Sequence, residues 1–208
     1  MASMNKSEAR TKAAKLRELL NLYDYQYYIL DQPTVSDAVY DSLMLELEKI
    51  EGDFPELVAK DSPTQRVGGQ PTRKFTKVQH ANQMLSLNDV FSFEELSAWQ
   101  ERISKATDRE RLEFFCELKI DGLSIMLTYQ DGVLLRGATR GDGITGEDVT
   151  ANLKTIGAIP LKLFKGKGRI DVRGEIFMSN EAFEEVNREQ QKAGLPAYAN
   201  PRNLAAGS

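Results

Sequence analysis

Apolar side chains recur near the start of the chain at Leu16, Leu19, Leu20, Tyr23, Tyr27 and Leu30. That is the period of an amphipathic helix, and it predicts one from about Ser7 to Leu30. Asp31-Gln32-Pro33 ends it, because a residue before proline is pushed out of helical backbone. A second helix is predicted with Ser36 as its N-cap, running through Tyr40, Leu43, Met44, Leu47 and Ile50 to Gly52. Two helices with a short link form a hairpin that buries one shared stripe. From Phe54 to Lys77, three prolines and Gly68-Gly69 break any period, so a linker is expected there. The boundary is placed at residue 70, giving a helical domain over 1–70 and a second domain over 71–208.

A third helix opens with the capping box Ser92-Phe93-Glu94-Glu95 and carries Leu96, Trp99 and Ile103 on its apolar side, with Trp99 expected in the core. From Leu112 the period shortens to two. Cys116, Leu118 and Ile120 fall on one face of a predicted strand, and Glu117, Lys119 and Asp121 on the other. Cys116 is expected to be packed behind that strand. Leu123 to Tyr129 alternates, Asp131-Gly132 signals a tight hairpin, and Val133 to Ala138 returns antiparallel. Thr139 to Gly146 is a glycine-rich loop, expected to lead into a helix from about Glu147. Its glycines match neither a dinucleotide-binding fingerprint nor a P-loop. Arg169 to Met178 reads as a half-buried strand with Asp171, Arg173 and Glu175 on its polar face and Ile170, Val172 and Ile176 opposite. A last helix follows Ser179 and ends near Ala193, before Gly194.

Composition adds limits rather than identity. Of 208 residues, 41% are apolar and 28% charged, which is ordinary for a soluble domain. The apolar runs are too short to span a bilayer and the N-terminus lacks a signal-peptide core, so a cytoplasmic location is expected. One cysteine, Cys116, excludes an internal disulfide, and with His80 as the one histidine no Cys/His zinc site can be assembled. The net charge is −4, and the first 70 residues hold 8 basic against 12 acidic side chains. Any grip on nucleic acid would have to come largely from elsewhere.

Two clusters carry candidate chemistry. Lys119, between Glu117 and Asp121, is either a structural ion pair or a nucleophile. Tyr27, Tyr28, Asp37, Tyr40 and Asp41 gather at the hairpin link, with Asp37, Tyr40 and Asp41 at i, i+3 and i+4. They either close the hairpin and favour the helix N-terminus, or form an acidic aromatic pocket for a flat cationic ring.

Lys119-Ile120-Asp121-Gly122, then Ala138-Thr139-Arg140-Gly141-Asp142-Gly143, Arg173-Gly174-Glu175 and Ala199-Asn200-Pro201-Arg202-Asn203 together resemble the bacterial NAD-dependent DNA ligases. The hairpin residues and Asp61-Ser62-Pro63-Thr64-Gln65-Arg66-Val67-Gly68 resemble the same family. The resemblance implies an α+β fold: a helical, nicotinamide mononucleotide-binding hairpin followed by part of an ATP-grasp-like nucleotidyltransferase domain with antiparallel sheets and flanking helices. It implies that Lys119 attacks NAD and takes up AMP, with Asp121 beside the reacting phosphate. AMP then passes to the 5′-phosphate of nicked double-stranded DNA, which the 3′-hydroxyl seals, the chemistry of DNA replication and repair.

In the same reading Glu117, Arg140 and Glu175 hold the adenosine, Ser86 and Leu87 line its pocket, and Arg202 lies on the phosphate or DNA side. Tyr27, Tyr28, Asp37, Tyr40 and Asp41 clamp the nicotinamide half, Tyr28 standing where the family often has histidine. Because carboxylates beside an amine favour its protonated form, the resemblance also calls for Mg2+ at the phosphates. Later family lysine motifs, an oligonucleotide-binding barrel, a zinc finger, a helix-hairpin-helix region and a carboxy-terminal domain have no counterpart in this sequence, so nick joining by this chain alone is not expected. The alternatives are an NAD or nicotinamide mononucleotide-binding module without chemistry, and an ATP-dependent nucleotidyltransferase.

Overall fold

The computed structural model describes residues 4–28, 30–66 and 75–205. Gly68-Gly69, the boundary at residue 70 and the terminal Ala206-Gly207-Ser208 lie outside them. The elements in chain order are α1 (Lys6–Tyr28), α2 (Asp37–Asp53), β1 (Lys77–Gln79), α3 (Phe93–Thr107), β2 (Leu123–Gln130), β3 (Val133–Thr139), β4 (Thr145–Glu147), α4 (Thr150–Leu153), β5 (Arg169–Ile176), α5 (Asn180–Lys192) and α6 (Pro201–Ala205). They fall into two compact units, Met1–Gln79 with Ser124–Ile176, and His80–Leu123 with Phe177–Ser208.

In the first unit, α1 and α2 bury Ala9, Ala13, Leu16 and Leu20 against Leu47, Ile50 and Leu57. The buried stripe differs from the expected one. It runs through the small alanines, which let the helices approach closely, while Tyr27 and Leu30 are exposed. Four residues after Leu20 the stripe continues into Asp24, which is buried. The chain leaves α1 with Asp31 in left-handed backbone (φ 50°), and the Gln32 N–H returns to the Gln26 carbonyl at 2.9 Å. Ser36 does stand at the N-cap of α2, though its side chain makes no capping bond.

The expected linker after α2 is largely folded. Short 3-10 turns at Pro55–Leu57 and Pro63–Arg66 pack back on the hairpin, and Ser62 and Pro63 are fully buried. Their partner is Glu51, a buried carboxylate that accepts hydrogen bonds from Ser62 (2.8 Å) and Thr64 and pairs with Arg17 at 3.3 Å. A buried charge requires such partners, and the turn supplies them. Prolines and lost periodicity marked irregular backbone here, not an absence of packing.

The unit also holds a three-stranded sheet in the order β3-β2-β5 and a two-stranded pair, β1-β4. The β2–β3 hairpin turns at Asp131 and Gly132, with φ of 51° and 81°. Two successive positive φ values are what a tight hairpin turn needs, and Asp-Gly supplies them. Ile125, Leu127, Tyr129 and Leu134 pack with Val149, Leu153, Ile159 and Leu161 behind the sheet. In the glycine-rich loop, Gly141 has φ 56°, and a Cβ there would lie 1.9 Å from the Thr145 carbonyl oxygen. The Asp142 side chain accepts from the Ile144 and Thr145 amides at 2.8 and 2.7 Å. This loop returns as strand β4 beside β1, so the expected helix starts only at Thr150. On β5, Ile170 and Ile176 pack on the core as expected, whereas Val172 is exposed.

In the second unit, Ser92 caps α3 by accepting from the Glu95 amide, and Glu95 in turn accepts from the Phe91 amide at 2.7 Å. Ser179 caps α5 in the same way. Neither helix buries a residue completely. Trp99, expected in the core, is partly exposed and stacks on Phe114 with ring centroids 5.4 Å apart.

Leu20→Ala should lower unfolding free energy by about 2–5 kcal/mol, as read by denaturant unfolding. Burial pushes the Asp171 carboxyl up, but hydrogen bonds from Thr128 (2.7 Å) and Arg169 (3.1 Å) outweigh it and hold the group below its usual range. Its contribution is therefore present above the ordinary carboxylate value and lost as pH falls through the lower folded one. Asp171→Asn should flatten the decline of stability below about pH 4.

Candidate functional site

The residues expected to carry function divide between the two units. The first holds Tyr27, Tyr28, Asp37, Tyr40, Asp41, Arg140 and Glu175; the second holds Ser86, Leu87, Glu117, Lys119, Asp121 and Arg202.

At the end of the hairpin, the Tyr27 and Tyr28 rings meet edge to face at 4.8 Å, and both are about half exposed. Tyr28 also lies over Gly157, where a Cβ would stand 2.3 Å from the Tyr28 ring. Tyr40 points inward, and its hydroxyl donates to Asp24 Oδ1 at 2.8 Å. Asp37 and Asp41 are exposed at the start of α2.

Asp24 and Arg66 were not anticipated as site residues. Asp24 Oδ2 lies 3.4 Å from Arg66 Nε. The Arg66 guanidinium donates to the carbonyls of Ile156 and Ile159, each at 3.0 Å. Burial pushes the Asp24 carboxyl up against the opposing effects of Tyr40 and Arg66. Burial and then the neighbouring Asp24 charge push the Tyr40 phenol well above its ordinary value. A cavity of about 220 Å³ opens beside this group, lined by Asn21, Asp24, Tyr25, Arg66, Gly157 and Phe164 among others. The readable signal was an aspartate in step with Leu16 and Leu20 on the buried face of α1.

Arg140 and Glu175 come together at Ser124. The Arg140 amide donates to the Ser124 carbonyl at 2.9 Å, and the Ser124 hydroxyl donates to Glu175 Oε2 at 2.5 Å. Ser124 was missed because a single serine at the start of an apolar strand carries no pattern.

The stretch from Cys116 to Gly122 departs most from expectation. It belongs to no strand or helix, and Cys116, Leu118 and Ile120 are exposed together with Glu117, Lys119 and Asp121. Alternation specifies two faces but does not supply a neighbouring strand to pair with, and among the described residues none pairs here. Arg202 Nη1 lies 3.3 Å from Asp121 Oδ1 in an exposed pair, which contributes little to stability. Ser86 and Leu87 are exposed as well. The arrangement offers an accessible amine flanked by two carboxylates, with an arginine held near one of them. Among the described residues no group of three His, Cys, Asp or Glu is placed to hold a metal ion, and no helix is long and apolar enough to cross a membrane.

Two family models match the chain. One, a DNA ligase-like, N-terminal NAD+-binding domain, covers residues 6–68; the other, an NAD-dependent DNA ligase adenylation domain, covers residues 72–208. Similar proteins include the DNA ligases of Thermomicrobium roseum (54% identical over 206 residues), Acetivibrio thermocellus (54% over 194) and Oceanobacillus iheyensis (52% over 205). These alignments cover 97%, 93% and 99% of this chain, and 30%, 29% and 30% of the relatives. The chain thus spans about 30% of the length of the curated relatives it matches.

Gly157→Ala should leave stability within about 1 kcal/mol of the parent, because the half-exposed Tyr28 ring can swing aside. The Tyr28 ring resonances should shift by NMR; unchanged resonances would refute the contact.

Proposed function

The chain belongs to the NAD-dependent DNA ligases, and on that premise we propose that it carries the step in which NAD adenylates the enzyme. The observation that supports this most directly is an exposed Lys119 inside the stretch that matches the adenylation domain. Residues 1–70 then form the nicotinamide mononucleotide-binding domain and 71–208 the nucleotidyltransferase part, in a cytoplasmic protein.

Lys119 Nζ, once it has lost a proton, attacks the α-phosphorus of NAD. A P–N bond forms, the P–O bond to the second phosphate breaks, and nicotinamide mononucleotide leaves with the bonding electrons. Phosphoryl transfer depends mostly on positioning and charge neutralisation, so each surrounding residue has a defined task. Glu117, Arg140 and Glu175 hold the adenosine half with Ser86 and Leu87. Ser124 braces Glu175 through its hydroxyl and Arg140 through its backbone. Tyr27 and Tyr28 offer aromatic surfaces, and Asp37 and Asp41 negative charge, to the nicotinamide ring, which is cationic in NAD.

Mg2+ is usually held by one or two carboxylates plus substrate phosphates rather than by an all-protein cage, and the exposed Asp121, the carboxylate read as lying beside the reacting phosphate, suits that role. When bound it neutralises phosphate charge. Arg202 pairs with Asp121 at 3.3 Å and is the residue of this cluster suited to a phosphate oxygen. In the complete ligase, AMP passes on to the 5′-phosphate of nicked double-stranded DNA, and the 3′-hydroxyl displaces it.

Intact-protein mass after incubation with NAD and Mg2+ tests the proposal. A gain of one AMP from NAD, absent with ATP and in Lys119→Ala, is the expected result. Binding of nicotinamide mononucleotide without any adduct would instead assign the chain to recognition alone.

A further inference from the structure

Asp24 and Arg66 take no part in the function proposed above, yet they form a buried group in contact with Tyr40. Asp24 sits on the core face of α1, its side chain about nine-tenths buried. Burying a carboxylate there costs far more than burying the apolar residue that the helix period calls for. Its Oδ1 accepts from Tyr40, and its Oδ2 faces Arg66 Nε without a hydrogen bond. Arg66 cannot swing away freely, because its two terminal nitrogens are spent on the Ile156 and Ile159 carbonyls. Those carbonyls flank Gly157, over which Tyr28 packs. One chain of contacts therefore runs from Tyr40 on α2, through Asp24 on α1 and Arg66 in the turn that follows, to the loop against which Tyr28 rests.

We infer that Asp24 is a positioning residue: by accepting the Tyr40 hydroxyl it fixes the Tyr40 ring in the orientation that holds the nicotinamide half of NAD. The inference rests on the reading of the hairpin as the nicotinamide mononucleotide clamp and adds to it a residue that never touches the ligand. A tyrosine whose hydroxyl is held by a buried carboxyl group loses little freedom on binding, whereas an untethered ring must be ordered at each binding event. Arg66 and its two carbonyls keep Asp24 in register with Tyr40 rather than with solvent. The charged or titratable groups around Tyr40 are Asp24, Arg66 and Tyr28.

The test is calorimetric binding of nicotinamide mononucleotide to the 208-residue chain, compared across the parent, Asp24→Asn, Tyr40→Phe and the double variant. Each single variant should weaken binding about tenfold, and the double variant should bind no more weakly than Tyr40→Phe, because coupled residues are not additive. In parallel, the Tm of ligand-free Asp24→Asn is measured: tenfold weaker binding at a parental Tm is the result that a merely structural role for Asp24 would not produce. Independent, multiplying losses in the double variant would overturn the inference, as would an Asp24→Asn protein with parental affinity. Tyr40→Phe removes the hydroxyl while keeping the ring, so unchanged affinity in that variant overturns it even if Asp24→Asn fails to fold. A parent protein that adenylates but does not bind nicotinamide mononucleotide would overturn the clamp reading itself. Failure confined to the variants leaves the clamp standing and removes only Asp24's role.

Discussion

The Arg66 side chain is where the hairpin is joined to the rest of its unit. Its guanidinium spends two nitrogens on backbone carbonyls of the loop behind the sheet and turns the third towards Asp24, so a single planar group ties α1 to residues 156–159. A lysine in its place could make one of these contacts but could not hold all three in one plane. Around it, Lys162 pairs with Asp61 at 3.0 Å and Tyr25 meets Phe164 edge to face at 4.8 Å. These outer contacts are more exposed and less constrained. The cavity beside Asp24 and the seat of Tyr28 over Gly157 both depend on where Arg66 holds this loop.

Much of the local structure was legible because it rests on short-range chemistry. Ser92 capped the helix it was expected to cap, a helix followed Ser179 as expected, and Asp131-Gly132 turned the hairpin, since each needs only its immediate neighbours. The misreadings share a different cause. Cys116, Leu118 and Ile120 alternate as a strand does, but a strand also needs a partner, and alternation says nothing of one. Trp99 has core-like spacing but stacks on Phe114 in a unit whose helices bury little. The turn after α2 looked like a linker because prolines erase periodicity, although Glu51 organises it through Ser62 and Thr64.

The candidate site was legible to a different degree in its two halves. Residues with unusual chemistry for their surroundings, such as the tyrosines and aspartates of the hairpin and the lysine between two acids, stood out from the sequence. Residues that support them did not, because Ser124, Arg66 and Asp24 act through long-range contacts: Ser124 reaches Glu175, 51 positions later, and Arg66 reaches Ile156, 90 positions later. Asp24 left a trace as a charge in step with buried leucines, and Arg66 stood within the stretch 61–68 without any sign of its partners. Electrostatics then divides the chain sensibly. The hairpin segment is the acidic one, suited to a cationic ring, while the balanced remainder carries the arginines that a phosphate would meet.

The exposure of Cys116 has a practical side. It is the one thiol in the sequence, accessible to solvent, and three residues before Lys119. A maleimide dye would therefore attach at a single known place without any engineered cysteine, close enough for its emission to register changes around the lysine.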